Sequence, residues 1–186
     1  MGKNIIEDKL IIFSPEMVQA ILEGRKTQTR RIIKPQPSCI KNSPFLKSGI
    51  EDGHGREIKI PWKIGMKLLI KEKFYVSNNE TVLPYLIFCA EIWKSSFYLS
   101  RLGSWITLEI VDVTVERLKD ILDEDCWKEG ISEDKFDEAE HYSIGGSPLI
   151  GITPERCVFS GLWESIHGPG SWDKNPWVWK IEFEKL

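Results

Sequence analysis

The chain has 186 residues, 41% of them hydrophobic and 28% charged, with a formal net charge of −3, a length that suits one domain with a sizeable core. That balance excludes binding of duplex DNA by overall charge and leaves room only for a local basic site on an acidic body. No run reaches transmembrane length, no apolar leader opens the chain, and Ile6 stands where a myristoylation signal needs Ser or Thr, so a cytoplasmic protein with no membrane partner is expected.

Leu10 to Phe13 reads as a short apolar strand. Ser14-Pro15 then opens a helix, with Ser14 as N-cap and Pro15 preset for the first helical position. Val18, Ile21 and Leu22 form its buried stripe, and Gly24 falls where a left-handed residue ends a helix. Thr29 to Lys34 is extended and stopped by Pro35 and Pro37. Gln36 to Ile60 is polar and contains Gly and Pro, which predicts a long loop. Trp62 to Val76 predicts a strand entered through a turn at Gly65, and Leu86 to Trp93 predicts another.

Trp105 to Leu118 is the clearest strand, and its pattern changes phase. Ile106, Leu108 and Ile110 alternate on one face, Val111, Val113 and Val115 on the other, which marks a bulge or a bend. Leu118, Ile121, Leu122 and Cys126 follow at helical spacing, with Gly130 as the stop. Ser132 to Thr153 reads as an acidic, glycine-containing loop, Leu162 to Ile166 as a short helix, and Trp177 to Phe183 as a last strand. Trp177, Trp179, Ile181 and Phe183 share one face at period two and read as core. Strands outnumber helices, and there is no repeat and no βαβ rhythm. The expected fold is mixed α+β, mainly β: a small, partly closed barrel with a few peripheral helices, in a single domain over residues 1–186 with loop insertions near 36–60, 77–85 and 132–160.

Cationic charge concentrates after the first helix. No acid occurs from Gly24 through Lys34, while Arg25, Lys26, Arg30, Arg31 and Lys34 all carry positive charge; residues 116–140 hold eleven acids against four bases. Such a patch suits an anion or a polar substrate. A neutral lysine can take a proton from a hydroxyl, so Lys26 and Thr29 form a candidate base and nucleophile, provided burial beside other cations lowers the lysine pKa. A spacing of three points to opposite faces of a flat strand, so the pair converges only if the backbone is still turning after Gly24. The alternative is an exposed phosphate clamp beside an ordinary strand threonine.

Glu129 shares a helix face with Cys126 and Leu122 and sits at the negative end of the helix dipole, a setting that suits a proton donor; the alternative is an acid turned to solvent at a frayed end. Trp172 lies in the irregular stretch from His167 to Pro176, where it could stack on a flat base or pack against the fold. The four cysteines Cys39, Cys89, Cys126 and Cys157 lie more than thirty residues apart with no CxxC pair, and His54, His141 and His167 are equally scattered, so reduced thiols and no metal site are expected.

These pieces resemble the ASCH domain family, a PUA-like β-barrel group associated with RNA, whose signature GxKxxExR follows the first helix. Gly24, Lys26 and Arg31 match it, with Thr29 in place of the glutamate. The likeness to phage and prophage members runs over Phe13 to Arg31, Gly65 to Glu72, Ile106 to Ile131 and Leu162 through Phe183, roughly half the chain. One bacterial branch deacetylates 4-acetylcytidine with a lysine, a threonine and a glutamate from a later helix, and these fall on Lys26, Thr29 and Glu129. The resemblance also implies substrate contacts from Gly24, Arg25, Arg30, Arg31, Glu72, Arg101 and Trp172, and no cofactor. Departures are the greater length and the run Arg101-Leu-Gly-Ser-Trp105, where phage relatives carry a second arginine.

The implied activity is metal-independent hydrolysis of an acylated cytidine or similar modified nucleoside. Thr29 would attack the amide, Lys26 would act as general base, Glu129 would orient the amide and help protonate the leaving amine, and Arg31 would stabilise negative charge. A different class of function is a non-catalytic module that reads RNA or a modified base, with the arginines on phosphates and an aromatic stacked on the base. A ribonuclease is a third.

Overall fold

The computed structural model describes residues 8–40, 49–71, 74–77, 80–82, 93–94, 106–136 and 153–186. Strand β1 (Lys9–Ile12) runs into helix α1 (Pro15–Leu22), which the Ser14 hydroxyl caps by accepting from Met17 N at 3.4 Å, with Pro15 in the first turn. Gly24 takes φ +78°, the left-handed reversal expected there, and the chain leaves through strand β2 (Gln28–Ile32).

The predicted loop from Gln36 to Ile60 contains a small hairpin of β3 (Cys39–Ile40) and β4 (Ile50–Glu51). Strand β5 (Lys67–Lys71) follows the turn at Gly65. Strands β6 (Phe74–Ser77), β7 (Glu80–Val82) and β8 (Trp93–Lys94) form a separate three-stranded antiparallel sheet. Residues 83–92, which hold most of the Leu86 to Trp93 strand prediction, lie outside the described residues.

The main sheet has the order β1-β5-β9-β10-β2, where β9 is Thr107–Arg117 and β10 is Trp177–Lys185. The β1–β5 pair is parallel and the other ladders antiparallel, which makes a mixed sheet in a mixed α+β fold. Among the described residues no ladder joins β1 to β2, so the sheet keeps two outer edges. The expected phase slip is a bulge: Phe183 pairs with Ile110 and Glu182 with Asp112, so Val111 is the extra residue. Val111 is exposed, while Val113 and Val115 return to the core that Leu108 and Ile110 already face, not to the opposite one.

Two cores lie on the two sides of β10. Trp179, Ile181 and Phe183 are buried with Phe13, Val18, Ile21 and Leu108, as the period-two pattern predicts. Val178 points the other way and joins Leu118, Ile121, Cys126, Phe159, Trp163 and Trp172. The segment after β9 is a 3₁₀ turn (Leu118–Asp120) and then helix α2 (Asp123–Lys128), and the break leaves Leu122 exposed instead of buried. Helix α3 spans Pro154–His167, nine residues more than Leu162–Ile166 and reaching into the insertion expected over 132–160. Thr153 caps it by accepting from Arg156 N, and Pro154 occupies its first turn. No described helix is long and apolar enough to cross a membrane.

Candidate functional site

The turn between α1 and β2 is fastened to the C-terminal end of α2. Lys26 N donates to Ala20 O at 3.0 Å, and Thr27 N donates to Lys128 O at 2.9 Å. Gly130, with φ +89°, makes this approach possible: a Cβ there would lie 3.0 Å from Lys26 Cβ and 3.1 Å from Ala20 Cβ. Closure of α2 on the turn buries the Lys26 side chain completely. Its Nζ donates to Glu129 Oε2 at 2.8 Å and to the Glu129 backbone oxygen at 2.7 Å, and lies 5.6 Å from the centre of the Phe13 ring.

Burial pushes the Lys26 ammonium below the ordinary lysine range. The Glu129 carboxylate opposes that shift, and the charges of Arg31 and Arg30 add to it. The other Glu129 oxygen accepts from Arg30 Nη1 at 3.0 Å. Arg30 also donates through Nε to Glu116 at 2.7 Å and through Nη2 to Asp125 at 3.1 Å. Burial works against its charge, yet Glu129 and Glu116 outweigh it and hold the guanidinium protonated. Asp125 in turn accepts from Gln28 at 3.1 Å and Lys180 at 2.9 Å. Burial raises its pKa, but Lys180, Gln28 and Arg30 more than reverse this, and the net direction is down. The buried charges thus form one connected network with hydrogen-bonded acceptors throughout.

This network backs a cavity of about 420 Å³ bounded by β2, the start of α1 and helix α3. Thr29, Arg30, Arg31 and Glu129 supply its polar wall, and Phe13, Phe159, Trp163 and His167 its aromatic one. Arg31 lies with its guanidinium 5.3 Å from the centre of the Phe13 ring and donates through Nη2 to Ile12 O at 3.0 Å. The His167 ring sits 4.1 Å from that of Trp163. Burial lowers its pKa, and the charges of Arg31 and Lys34 lower it further.

Of the residues singled out from sequence, Thr29, Arg30, Arg31 and Glu129 share this cavity, and Lys26 sits directly behind Glu129. Lys26 precedes β2, so strand alternation does not separate it from Thr29, but its ammonium hydrogen bonds go to Glu129 and none to Thr29. Gly24 and Arg25 are not in the cavity wall. Gly24 serves the reversal, and Arg25 is exposed, pairs with Glu23 at 2.6 Å and donates to the backbone oxygens of Gly130 and Ile131. Trp172 corrects the stacking expectation: it is buried in the second core, edge-on to Phe159 at 6.0 Å, and does not line the cavity. Glu72 and Arg101 lie outside the described residues.

Asp125 escaped the sequence reading although it precedes Glu129 by four, the spacing that puts two acids on one helix face. The surrounding acids of the stretch hid it. Phe159 falls in the stretch expected as a loop insertion, and Trp163, inside the predicted Leu162–Ile166 helix, carries no signal of its own that marks it as a cavity residue. Comparison with protein-family models, curated proteins and solved structures found no match.

Proposed function

We propose that this chain is an ASCH-type, PUA-like domain that hydrolyses an amide on a modified nucleoside, 4-acetylcytidine or a similar acylated cytidine. One observation carries the reading: a fully buried lysine meets a buried carboxylate at 2.8 Å, and that carboxylate and Thr29 stand in the wall of one cavity. Aromatic residues of the same cavity offer faces for a base.

The chemistry divides among these residues. Lys26, once neutral, takes the proton of the Thr29 hydroxyl as its oxygen bonds to the amide carbon. Arg31 meets the negative charge that develops on the carbonyl oxygen. Collapse of the adduct breaks the carbon–nitrogen bond; the leaving amine receives the proton from the Lys26 ammonium, with Glu129 holding that ammonium and orienting the amide. Water then releases the acyl group from Thr29. Lys26 must swing from Glu129 toward Thr29 when substrate enters, since catalytic hydrogen bonds often close only in the complex.

A second reading has its own observation. The Lys26 ammonium is bonded to Glu129 and not to Thr29, which suits a structural ion cluster behind a pocket that only binds RNA or a modified base. Hydrolysis of 4-acetylcytidine by the pure protein, with a chelator present, separates the two. The enzyme reading expects turnover that Thr29→Ala and Lys26→Met abolish; equal turnover by all three proteins sinks the mechanism. Binding of the nucleoside without turnover, surviving Thr29→Ala, selects the module.

A further inference from the structure

Arg30 and Arg31 are neighbours in one strand and are treated differently by the fold. Arg30 has three carboxylate partners, Glu116, Asp125 and Glu129, at 2.7, 3.1 and 3.0 Å. Arg31 makes no ion pair among the described residues. Its guanidinium rests on a backbone oxygen and the Phe13 ring, and its Nε is buried with no hydrogen-bond partner among the described residues. Glu129, the carboxylate of the cavity wall, already has one oxygen on Lys26 and the other on Arg30.

Arg30 is matched by its three carboxylates, and the one acid of the cavity wall, Glu129, spends both oxygens on Lys26 and Arg30, so Arg31 feels its charge but has no hydrogen bond from it. Ser14, Pro15 and Met17, from the start of α1, line the same space and bring the positive end of that helix to it. A half-buried cation without a counterion is costly unless a ligand supplies one.

We infer that Arg31 forms an anion subsite, and that the ligand of this cavity carries a phosphate or carboxylate group alongside its flat ring. The guanidinium receives the oxyanion through the N–H groups of its Nη atoms that Ile12 O leaves free, with the Phe13 ring centre 5.3 Å away. The inference deepens the nucleoside reading by placing a negative group on the ligand and gives Arg31 to that group in place of the developing carbonyl oxyanion; it rests on that reading only for the ring.

The test follows the Arg31 Nε–H signal in the ¹⁵N spectrum of the full chain, assigned by its loss in Arg31→Lys, with His167 ring signals as a second reporter. Inorganic phosphate, acetate, chloride, cytidine and 4-acetylcytidine are titrated separately. The expected result is a saturable shift with phosphate or acetate and none with chloride, the tighter of the two naming the source of the oxyanion. Arg31→Gln should weaken that anion about 10- to 100-fold, read at His167, as expected for losing a charged hydrogen-bond donor. Should Arg31→Gln not fold, Arg31→Lys, which keeps the charge but not the fork, still has to bind the anion severalfold more weakly.

Equal anion affinity in the wild type and the variant, or a chloride response matching that of phosphate, overturns the subsite. Cytidine binding that ignores Arg31, with no anion bound, overturns it while leaving the nucleoside reading intact. Anion binding with cytidine and 4-acetylcytidine both ignored keeps the subsite and removes the nucleoside.

Discussion

The Lys26–Glu129 contact can be tested through stability, independently of any activity. Glu129→Leu removes the carboxylate and leaves two buried cations short of a partner. Arg30 keeps Glu116 and Asp125, so the stranded charge is chiefly Lys26, whose side chain is 0% exposed and which retains only the Glu129 backbone oxygen at 2.7 Å. Breaking a buried pair in this way costs about 3–5 kcal/mol. At this chain length that is a fall in Tm of about 6–20 °C. Lys26→Met removes the other partner and fills the same space with an apolar chain. Glu129 then still holds Arg30 at 3.0 Å, so the loss should be about 1–3 kcal/mol. The double variant strands no charge, and buried ion pairs replaced by apolar residues are often nearly neutral. Adding Lys26→Met to Glu129→Leu should therefore restore about 2 kcal/mol instead of subtracting more. Urea unfolding of the four proteins, with unchanged m values, measures each term. Additivity of the two single losses within about 0.5 kcal/mol would show that the two side chains are not energetically coupled and would refute the buried pair.

Three further outcomes follow from the same geometry. If Lys26 is the base, kcat for an acylated cytidine should rise with pH through the folded lysine pKa, which burial sets below 10.5; Glu129→Gln, by removing the carboxylate that opposes this shift, should move the rising limb to lower pH, and an unmoved limb would remove Lys26 from that role. His167 is held below 6.5, so the fold favours its neutral form: its contribution to stability is complete above pH 6.5 and is lost as pH falls through the lower folded value, and His167→Gln should flatten that part of a stability–pH curve. Gly130→Ala should destabilise by about 1–3 kcal/mol, measured by thermal unfolding, because its Cβ would meet Lys26 Cβ at 3.0 Å in a left-handed backbone that alanine adopts poorly; an unchanged Tm would mean that α2 does not close on the turn as described.

Sequence alone reached further into the local elements than into their assembly. The Ser14-Pro15 start, the Gly24 reversal, the bulge in β9 and the inward face of β10 are short-range consequences of residue type and period, and each occurs where residues predict it. Helix α3 is longer than its sequence suggests because its strongest signal, the Thr153-Pro154 cap, lies at the end of an acidic, glycine-containing stretch that reads as loop. Glu129 was legible as an inward acid from its spacing to Cys126. Its partners were not, because Lys26 lies 103 residues away and the approach depends on a missing Cβ at Gly130. Trp172 shows the opposite failure. A loop tryptophan is equally compatible with stacking on a ligand or with packing, and only the neighbouring Phe159, itself assigned to the wrong element, decides for packing.

The two arginines of β2 explain how one basic cluster serves both an internal network and a cavity. Alternation along a strand sends adjacent side chains to opposite faces. Arg30 shares its face with Lys180, its cross-strand partner, and both reach Asp125 on α2. Arg31 shares its face with Trp179 and Thr29 and turns toward Phe13. The three acids are thereby spent on Arg30 and its neighbours, and Arg31 is left with no ion pair among the described residues. A one-residue slip in the β2–β10 register would exchange the two faces and take Arg30 from its three carboxylates. Register is therefore what makes this cavity positive, and the tether that sets it is Thr27 N on Lys128 O with Phe183 N on Thr27 O, both at 2.9 Å. Removing the second of those hydrogen bonds by Phe183→Pro should lower Tm and, in whatever fraction still folds, weaken oxyanion binding at Arg31; intact anion affinity in that folded fraction would mean that the register is set elsewhere in the sheet.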